Sequence, residues 1–170
     1  GSQSFKTHGG YVRTQLPINN QDTVLLGARN QTYTQSSSAN YYNGGNTASC
    51  DPGWCDPSTY HFNNSGKANS YETQYTRAIQ SNLKSYVRAS KNFRFANLDD
   101  NAQASTQSNN LKPQTSQDYE FGITYDDKKQ RSTLIVYQSR LTNEIGFDGT
   151  NNVNFDPTKR QGVELSNRYA

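Results

Sequence analysis

Apolar and polar residues alternate with a period of two along several stretches of this chain. The clearest stretch runs from 118 to 125, and its alternating sets are Tyr119, Phe121, Ile123 and Tyr125 against Glu120, Gly122 and Thr124. Successive side chains of a β-strand point to opposite faces, so this pattern predicts an amphipathic strand. No stretch shows a convincing helical period. The pattern therefore predicts an all-β chain.

The predicted strands are joined by short polar turns and long loops in alternation. The strands run over about 5–16, 23–34, 70–79, 83–95, 118–125, 132–147 and 161–169. The short turns are 17–22, 80–82 and 126–131, and the long loops are 36–69, 97–116 and 149–158. This rhythm is typical of an antiparallel up-and-down β-barrel with short turns at one end and long loops at the other. We expect about seven or eight strands.

Individual residues refine these strands. Pro17 ends the first strand because proline cannot donate a ladder hydrogen bond, and Gly27 predicts a close approach by a neighbouring side chain. The segment 132–147 is long for a soluble strand but suits a tilted strand that crosses a membrane.

Composition narrows the class of protein. The chain has 170 residues, of which 31% are hydrophobic, 18% are charged and 12 are tyrosines. This predicts one ordered domain with a thin core, because disordered chains are poor in aromatic residues. No run of about 18 apolar residues occurs, which excludes a transmembrane helix but leaves a transmembrane barrel open.

Charge and motifs argue against several functions. The formal net charge is +3 and the basic residues are scattered singly, so nucleic-acid binding is not expected. His8 and His61 lie far apart and no metal-ligand spacing occurs, so we expect neither a metal site nor a cofactor. No nucleophile elbow or phosphate-binding glycine loop occurs either, so we do not expect an enzyme.

Two segments carry predictions of their own. Cys50 and Cys55 flank a Pro-Gly turn that brings them within reach of a disulfide, which indicates an oxidising compartment; two unpaired loop cysteines are the alternative. The opening Gly1-Ser2 is typical of the residue left by tag removal, so we expect the barrel segment to span 3–170.

Several phrases resemble, in the same order, the barrel of TonB-dependent outer-membrane receptors, the Gram-negative transporters of siderophores, cobalamin and other scarce nutrients. The phrases are Gly27-Ala28-Arg29, the run 86–95 (YVRASKNFRF), the run 111–116 (LKPQTS), Tyr119-Glu120-Phe121-Gly122, Asn143-Glu144-Ile145 and the run 160–165 (RQGVEL). The resemblance implies that Glu120 and Glu164 face a water-filled lumen, while Phe121 and Val163 face lipid. It also places the parent protein in the outer membrane, with its long loops outside the cell.

The chain departs from the family in extent. We count about seven strands where such transporters have 22, and no phrase resembles the plug or the segment that contacts TonB. We therefore expect a partial or engineered barrel that is not competent for transport alone. Thr73, Arg77 and Lys91 are oddly polar for lipid-facing positions, so they lie near the membrane interface or the segment has been re-surfaced. Open strand edges predict oligomerisation or capping.

Candidate ligand residues lie in the loops and near their bases. In the first long loop they are Tyr41, Tyr42, Trp54, Tyr60 and His61, which could contact a siderophore or another metal chelate, or be recognised by antibodies. The alternative is that these aromatic side chains pack the loop around the disulfide. Arg94 and Arg88 could attract anionic chelates, or Arg88 could pair with a lumen glutamate.

A second hypothesis is a secreted soluble β-sandwich that acts as an adhesin or a carbohydrate-binding module. Tyrosine and tryptophan would then serve as stacking platforms. A sandwich should carry balanced loops at both ends, whereas short turns cluster at one end of this chain, which favours the barrel.

Overall fold

The computed structural model describes residues 2–42, 57–102, 104 and 111–169. Its elements are β1 (Ser2–Pro17), β2 (Asp22–Tyr42), β3 (Pro57–Gln80), β4 (Leu83–Arg94), α1 (Leu98–Ala102), β5 (Gln114–Asp126), β6 (Gln130–Thr142), β7 (Glu144–Phe147), β8 (Asn152–Phe155) and β9 (Thr158–Tyr169). The all-β prediction is confirmed. Across these ranges, no helix is long and apolar enough to cross a membrane.

Seven strands form one antiparallel sheet in the order β1-β2-β3-β4-β5-β6-β9. Each strand pairs with the neighbour that precedes it in this order, so the predicted up-and-down arrangement is confirmed. The two-sheet sandwich is wrong, because all seven long strands lie in a single sheet. Within the described ranges β1 pairs only with β2 and β9 only with β6, so the barrel is not closed.

The hairpin of β2 and β3 is much longer than predicted. Its register runs from Asp22 opposite Arg77 to Tyr42 opposite Pro57. Most of the segment 36–69 is therefore paired strand, and of this segment only 43–56 lies outside the described residues. The many serine and asparagine residues of this segment predicted a loop. The hydrogen bonds between strands are made by the backbone, however, so a hairpin with both faces in water can consist of polar residues.

The predicted strand 132–147 is also wrong as one element. Asn143 adopts a left-handed conformation with φ of 55°, which separates β6 from β7. Asparagine tolerates this region better than most residues. β7 then pairs with β8, which lies inside the predicted loop 149–158, and Gly149 adopts φ of 106° in the turn between them. The loop predicted over 97–116 contains α1 and the start of β5.

The two faces of the seven-stranded sheet differ in chemistry. One face, here called the apolar face, carries a row of directly opposed residues on six neighbouring strands: Val24, Tyr75, Val87, Phe121, Val136 and Val163. The other, here called the polar face, carries the carboxylates of Glu72, Asp118, Glu120 and Glu164. The predicted opposition of Phe121 and Val163 to Glu120 and Glu164 is confirmed.

Buried apolar residues are few in the described part of the chain. Ala96, Ala104 and Leu111 form one small cluster, with the partly buried Ile145 packed against it. Large apolar side chains of the apolar face are exposed, including Val87 at 50% and Val163 at 66%. The hydrophobic surface of the sheet is thus turned outward, which agrees with the predicted thin core.

Candidate functional site

The two ends of the sheet differ, as the sequence predicted. The turn end carries the short connections at 17–22, 80–83 and 126–130. The loop end carries α1, the hairpin of β7 and β8, and the far ends of β2 and β3. The polar face extends along the sheet from the turn end to the loop end. Networks of polar contacts lie on this face and at the loop end.

Charged residues pair across three strands of the polar face. The carboxylate of Glu72 on β3 lies 2.9 Å from Nε of Arg13 on β1 and 3.8 Å from Nη2 of Arg88 on β4. Two cations therefore share one anion. The alternative reading of Arg88, pairing with a glutamate of this face, is confirmed for Glu72. Nε of Arg88 is buried and has no hydrogen-bond partner within the described residues.

Tyrosines on the polar face lie opposite glycines on the next strand. Tyr33 faces Gly66, Tyr86 faces Gly122 and Tyr137 faces Gly162. A Cβ added at any of the three glycines would lie within 3 Å of the opposing ring. Each ring thus covers the backbone of its neighbouring strand. The predicted close approach at Gly27 is confirmed as well, because an added Cβ there would lie 2.6 Å from Cγ of Glu72.

A second polar centre surrounds Asp118 on β5. Its carboxylate accepts hydrogen bonds from the hydroxyls of Ser116 at 2.7 Å and Ser139 at 2.5 Å, and from the amide of Asn92 at 3.1 Å. Nearby, the Tyr86 hydroxyl donates to the carboxylate of Glu120. Neutral donors therefore hold both of these carboxylates.

Aromatic rings gather towards the loop end. The ring centroid of Tyr33 lies 4.3 Å from that of Phe95 and 6.3 Å from that of Phe5, and Phe93 lies 4.9 Å from Phe95. The guanidinium carbon of Arg29 lies 5.5 Å from the centroid of the Phe93 ring, which is the geometry of a cation–π contact. Tyr33 is only 4% exposed. The group therefore forms an aromatic cluster beside the loops.

A buried amide pair fixes α1 to β2. The side-chain amide of Asn101 donates to Oε1 of Gln35 at 2.7 Å, and its Oδ1 accepts the backbone N–H of Leu111 at 3.1 Å. Gln35 in turn donates to the backbone oxygen of Ala96. Gln35 is 2% exposed and Asn101 is 1% exposed. Both amides are satisfied by specific partners, as buried polar groups require.

Two asparagines of β8, Asn152 and Asn154, join α1 and Lys112 to the hairpin of β7 and β8. Asn154 accepts the backbone N–H of Lys112 at 2.8 Å and donates to its carbonyl oxygen at 3.0 Å. It also donates to the carbonyl of Asn143 at 2.9 Å, and Asn152 donates to the carbonyl of Asp100 at 3.1 Å. We call the contacts made by Gln35, Asn101, Asn152 and Asn154 the loop clasp, because they join two successive loops.

Arg94 is the one predicted ligand residue whose side chain the structure describes. Its Nη2 lies 2.7 Å from the carboxylate of Asp100, and its side chain is 46% exposed. Asp100 also accepts the backbone N–H of Asn97 at 3.0 Å, while Oδ1 of Asn97 accepts that of Asp100 at 2.6 Å. This reciprocal cap opens α1. Arg94 therefore stands fixed and exposed at the base of the loop clasp.

The remaining predicted residues are placed by the backbone alone. Tyr41 and Tyr42 end β2, and Tyr60 and His61 lie within β3, opposite Ala39 and Ser38. The expectation that Tyr60 and His61 belong to a loop is wrong, because the backbone of this polar segment pairs with β2. Trp54, Cys50 and Cys55 lie outside the described residues.

Sequence reasoning missed the loop clasp. Gln35, Asn152 and Asn154 stand in segments rich in asparagine, serine and glutamine, where no single residue stood out. Asn97 and Asp100 are residue types that commonly form turns and caps, and they form the observed cap at α1.

The full length of the chain, residues 1–170, matches the family model "TonB dependent receptor-like, beta-barrel". The chain has no match among curated proteins.

Solved structures agree on the fold. The ferric-catecholate import receptor Fiu from E. coli K12 is 17% identical with a TM-score of 0.75, and the match covers 98% of this chain and 26% of that one. The copper transporter OprC is 16% identical with a TM-score of 0.78, over 99% and 27% of the two chains. The alcaligin outer-membrane receptor FauA from Bordetella pertussis is 14% identical with a TM-score of 0.65, over 98% and 27%. The chain thus spans about a quarter of the length of these proteins.

Proposed function

Because the chain belongs to the TonB-dependent receptor-like β-barrel family, we propose that it forms part of the barrel wall of a Gram-negative outer-membrane receptor. In this proposal the apolar face lies against lipid and the polar face lines the lumen. The loop end faces the exterior and contributes to recognition of a metal chelate such as a siderophore. The segment supplies wall and loops, and transport requires the rest of the receptor.

The separation of the two sheet faces is the observation that carries this proposal. Five of the six carboxylates on the sheet strands stand on the polar face: Glu72, Asp118, Glu120, Asp126 and Glu164. The opposed row from Val24 to Val163 stands on the other face, where the one carboxylate, Asp22, lies at the turn end, 3.7 Å from Arg77. A soluble sheet of this size would cover its apolar face with a second layer. An exposed apolar band on a single sheet is what a lipid-facing barrel wall requires.

The loop end has the chemistry for an anionic, aromatic chelate. Arg94 is exposed at the base of the loop clasp, and Arg29 stands over the Phe93 ring. Guanidinium groups attract anions, and rigid aromatic side chains give stacking surfaces at low entropic cost. The similarity to Fiu, a ferric-catecholate receptor, and to FauA, an alcaligin receptor, supports a chelate of the siderophore class.

Other partners follow from the same placement. The free edges of β1 and β9 would pair with further strands of a complete barrel or with a second copy of this chain. TonB would act through a plug region that none of the described residues supply. The loops would be accessible to antibodies in a cell that displays the receptor.

Membrane insertion is the first part of the proposal to test. The chain is refolded with and without detergent and its mass is measured by light scattering after size exclusion, together with far-UV CD. We expect β-rich protein that aggregates in buffer and disperses in detergent. A monodisperse β-rich monomer in buffer alone would contradict a lipid-facing apolar face.

Chelate recognition is tested by tryptophan fluorescence, since Trp54 is the only tryptophan in the chain. The detergent-solubilised chain is titrated with a ferric tris-catecholate and with the iron-free catecholate. We expect saturable quenching by the ferric complex alone, weakened in the Arg94→Gln variant. Arg131→Gln is the matched control, because Arg131 also pairs with an aspartate, Asp126 at 3.7 Å, but at the turn end. Equal weakening in both variants, or no saturable quenching, would refute recognition at the loop end.

A further inference from the structure

Three basic side chains stand in one row on the apolar face. Lys91 on β4 lies opposite Gln117 on β5, Gln117 lies opposite Arg140 on β6, and Arg140 lies opposite Lys159 on β9. We call Lys91, Arg140 and Lys159 the basic row. All three are exposed. Neighbouring strands are about 4.8 Å apart, so the row spans about 14 Å across the sheet.

The basic row borders the apolar band on its loop-end side. Each basic residue lies four positions from the apolar-band residue of its own strand, on the loop-end side. The pairs are Lys91 and Val87 on β4, Arg140 and Val136 on β6, and Lys159 and Val163 on β9. Four residues of strand rise about 13 Å, less along the membrane normal because barrel strands are tilted. The row therefore sits where the apolar band ends, towards the exterior side of the proposed barrel.

No carboxylate of the described residues neutralises this row. None of the six ion pairs observed there includes Lys91, Arg140 or Lys159. The next residues along the same face are Ala89, Tyr119, Gln138 and Gln161, all uncharged. Glu72, Asp118, Glu120 and Glu164 all stand on the opposite face. Three positive charges thus face outward without an acidic neighbour.

We propose that the basic row binds the phosphate groups of lipid headgroups in the outer leaflet around the barrel. This inference rests on the proposed function, because it requires the apolar face to lie in a membrane. Lysine and arginine at the edge of an apolar surface lay their alkyl stems along it and extend the charged group to the interface. Headgroup phosphates are the anions found at that depth. The row also explains why Lys91 occupies a position that the sequence pattern assigns to lipid.

The test is a vesicle-binding assay on the whole chain. Association with phosphatidylcholine vesicles, with and without phosphatidylglycerol, is measured by flotation. The triple variant Lys91→Gln/Arg140→Gln/Lys159→Gln is compared with the triple variant Lys84→Gln/Arg131→Gln/Arg168→Gln. Each triple variant lowers the net charge by three, but Lys84, Arg131 and Arg168 stand on the polar face. Far-UV CD of each inserted variant verifies the fold.

We expect the wild-type chain to prefer the anionic vesicles by on the order of 100-fold, since each basic residue near an anionic surface contributes about fivefold. The basic-row variant should lose most of this preference, the polar-face variant should keep it, and salt should weaken it. Equal losses of this preference in the two variants, or no preference in the wild type, would overturn the inference. In that case, association with the neutral vesicles would still support the proposed barrel wall. Failure to associate with either vesicle would overturn the proposed function and this inference together.

Discussion

Tyr86 on β4 lies directly opposite Gly122 on β5, and its ring occupies the space that a side chain at Gly122 would need. A Cβ added to Gly122 would lie 2.7 Å from the Tyr86 hydroxyl oxygen and closer still to two ring carbons. The ring cannot easily move away, because its hydroxyl donates to the carboxylate of Glu120. Glycine on one strand and tyrosine on the next therefore act as one unit of packing.

We expect the Gly122→Ala variant to lower the free energy of unfolding by about 1–3 kcal/mol, the usual cost of overpacking. Gly10→Ala is the matched control, since an added Cβ at Gly10 meets nothing within 4 Å. That control should be neutral or stabilising by about 0.4–1 kcal/mol, because alanine reduces the entropy of the unfolded chain. Urea titrations followed by far-UV CD in detergent measure both. Equal effects of the two substitutions would contradict the packing role of Tyr86.

The loop clasp predicts that two loops open together. Replacing Asn101 by alanine leaves Oε1 of the buried Gln35 and the backbone N–H of Leu111 without partners, and each such loss costs about 1–3 kcal/mol. Hydrogen exchange should therefore speed up in α1 and also in the hairpin of β7 and β8, with little change in β5. Asp99→Asn is the control, since Asp99 is exposed on the same helix. Faster exchange confined to α1 would show that the two loops are not coupled.

The sequence predicted the sheet far better than the loop end, for physical reasons. A strand with one apolar and one polar face must alternate, so the pattern of Tyr119, Glu120 and Phe121 identified β5 directly. Beyond the apolar band both faces of a strand meet water and the alternation disappears. The ends of β2 and β3 and the break at Asn143 therefore had no periodic signal. Gln35 and Asn101 are buried by contacts between distant segments, which a single sequence does not display.

The break between β6 and β7 depends on the left-handed conformation of Asn143, with φ of 55°. We expect Asn143→Gly to preserve the hairpin of β7 and β8, because glycine adopts this region freely. Asn143→Val should destabilise it by about 1–2 kcal/mol, the usual penalty for a left-handed residue with a Cβ. Limited proteolysis at the 148–151 turn measures the difference. Equal protection in the two variants would show that the conformation of Asn143 does not hold the hairpin.

The turn between β5 and β6 predicts a pH-dependent contribution to stability from Asp127. Its carboxylate accepts the backbone N–H groups of Lys129 and Gln130, both at 2.8 Å, and the hydroxyl of Tyr125 at 2.9 Å. These hydrogen bonds, the backbone ones foremost, hold the pKa of Asp127 below its ordinary value of 3.8. The unfolded chain therefore binds more protons between the two pKa values, and stability rises with pH in that window.

The stabilisation by Asp127 should accordingly be complete above the unfolded pKa and be lost as the pH falls through the lower, folded pKa. Asp127→Asn keeps an oxygen acceptor but cannot titrate, so its urea midpoint should fall less than that of the wild type between about pH 6 and pH 3. Asp156→Asn is the control: Asp156 is exposed, and no hydrogen bond to it is observed within the described residues. This variant should follow the wild-type pH profile. Parallel profiles for Asp127→Asn and the wild type would show that the turn contacts of Asp127 do not stabilise its charged form.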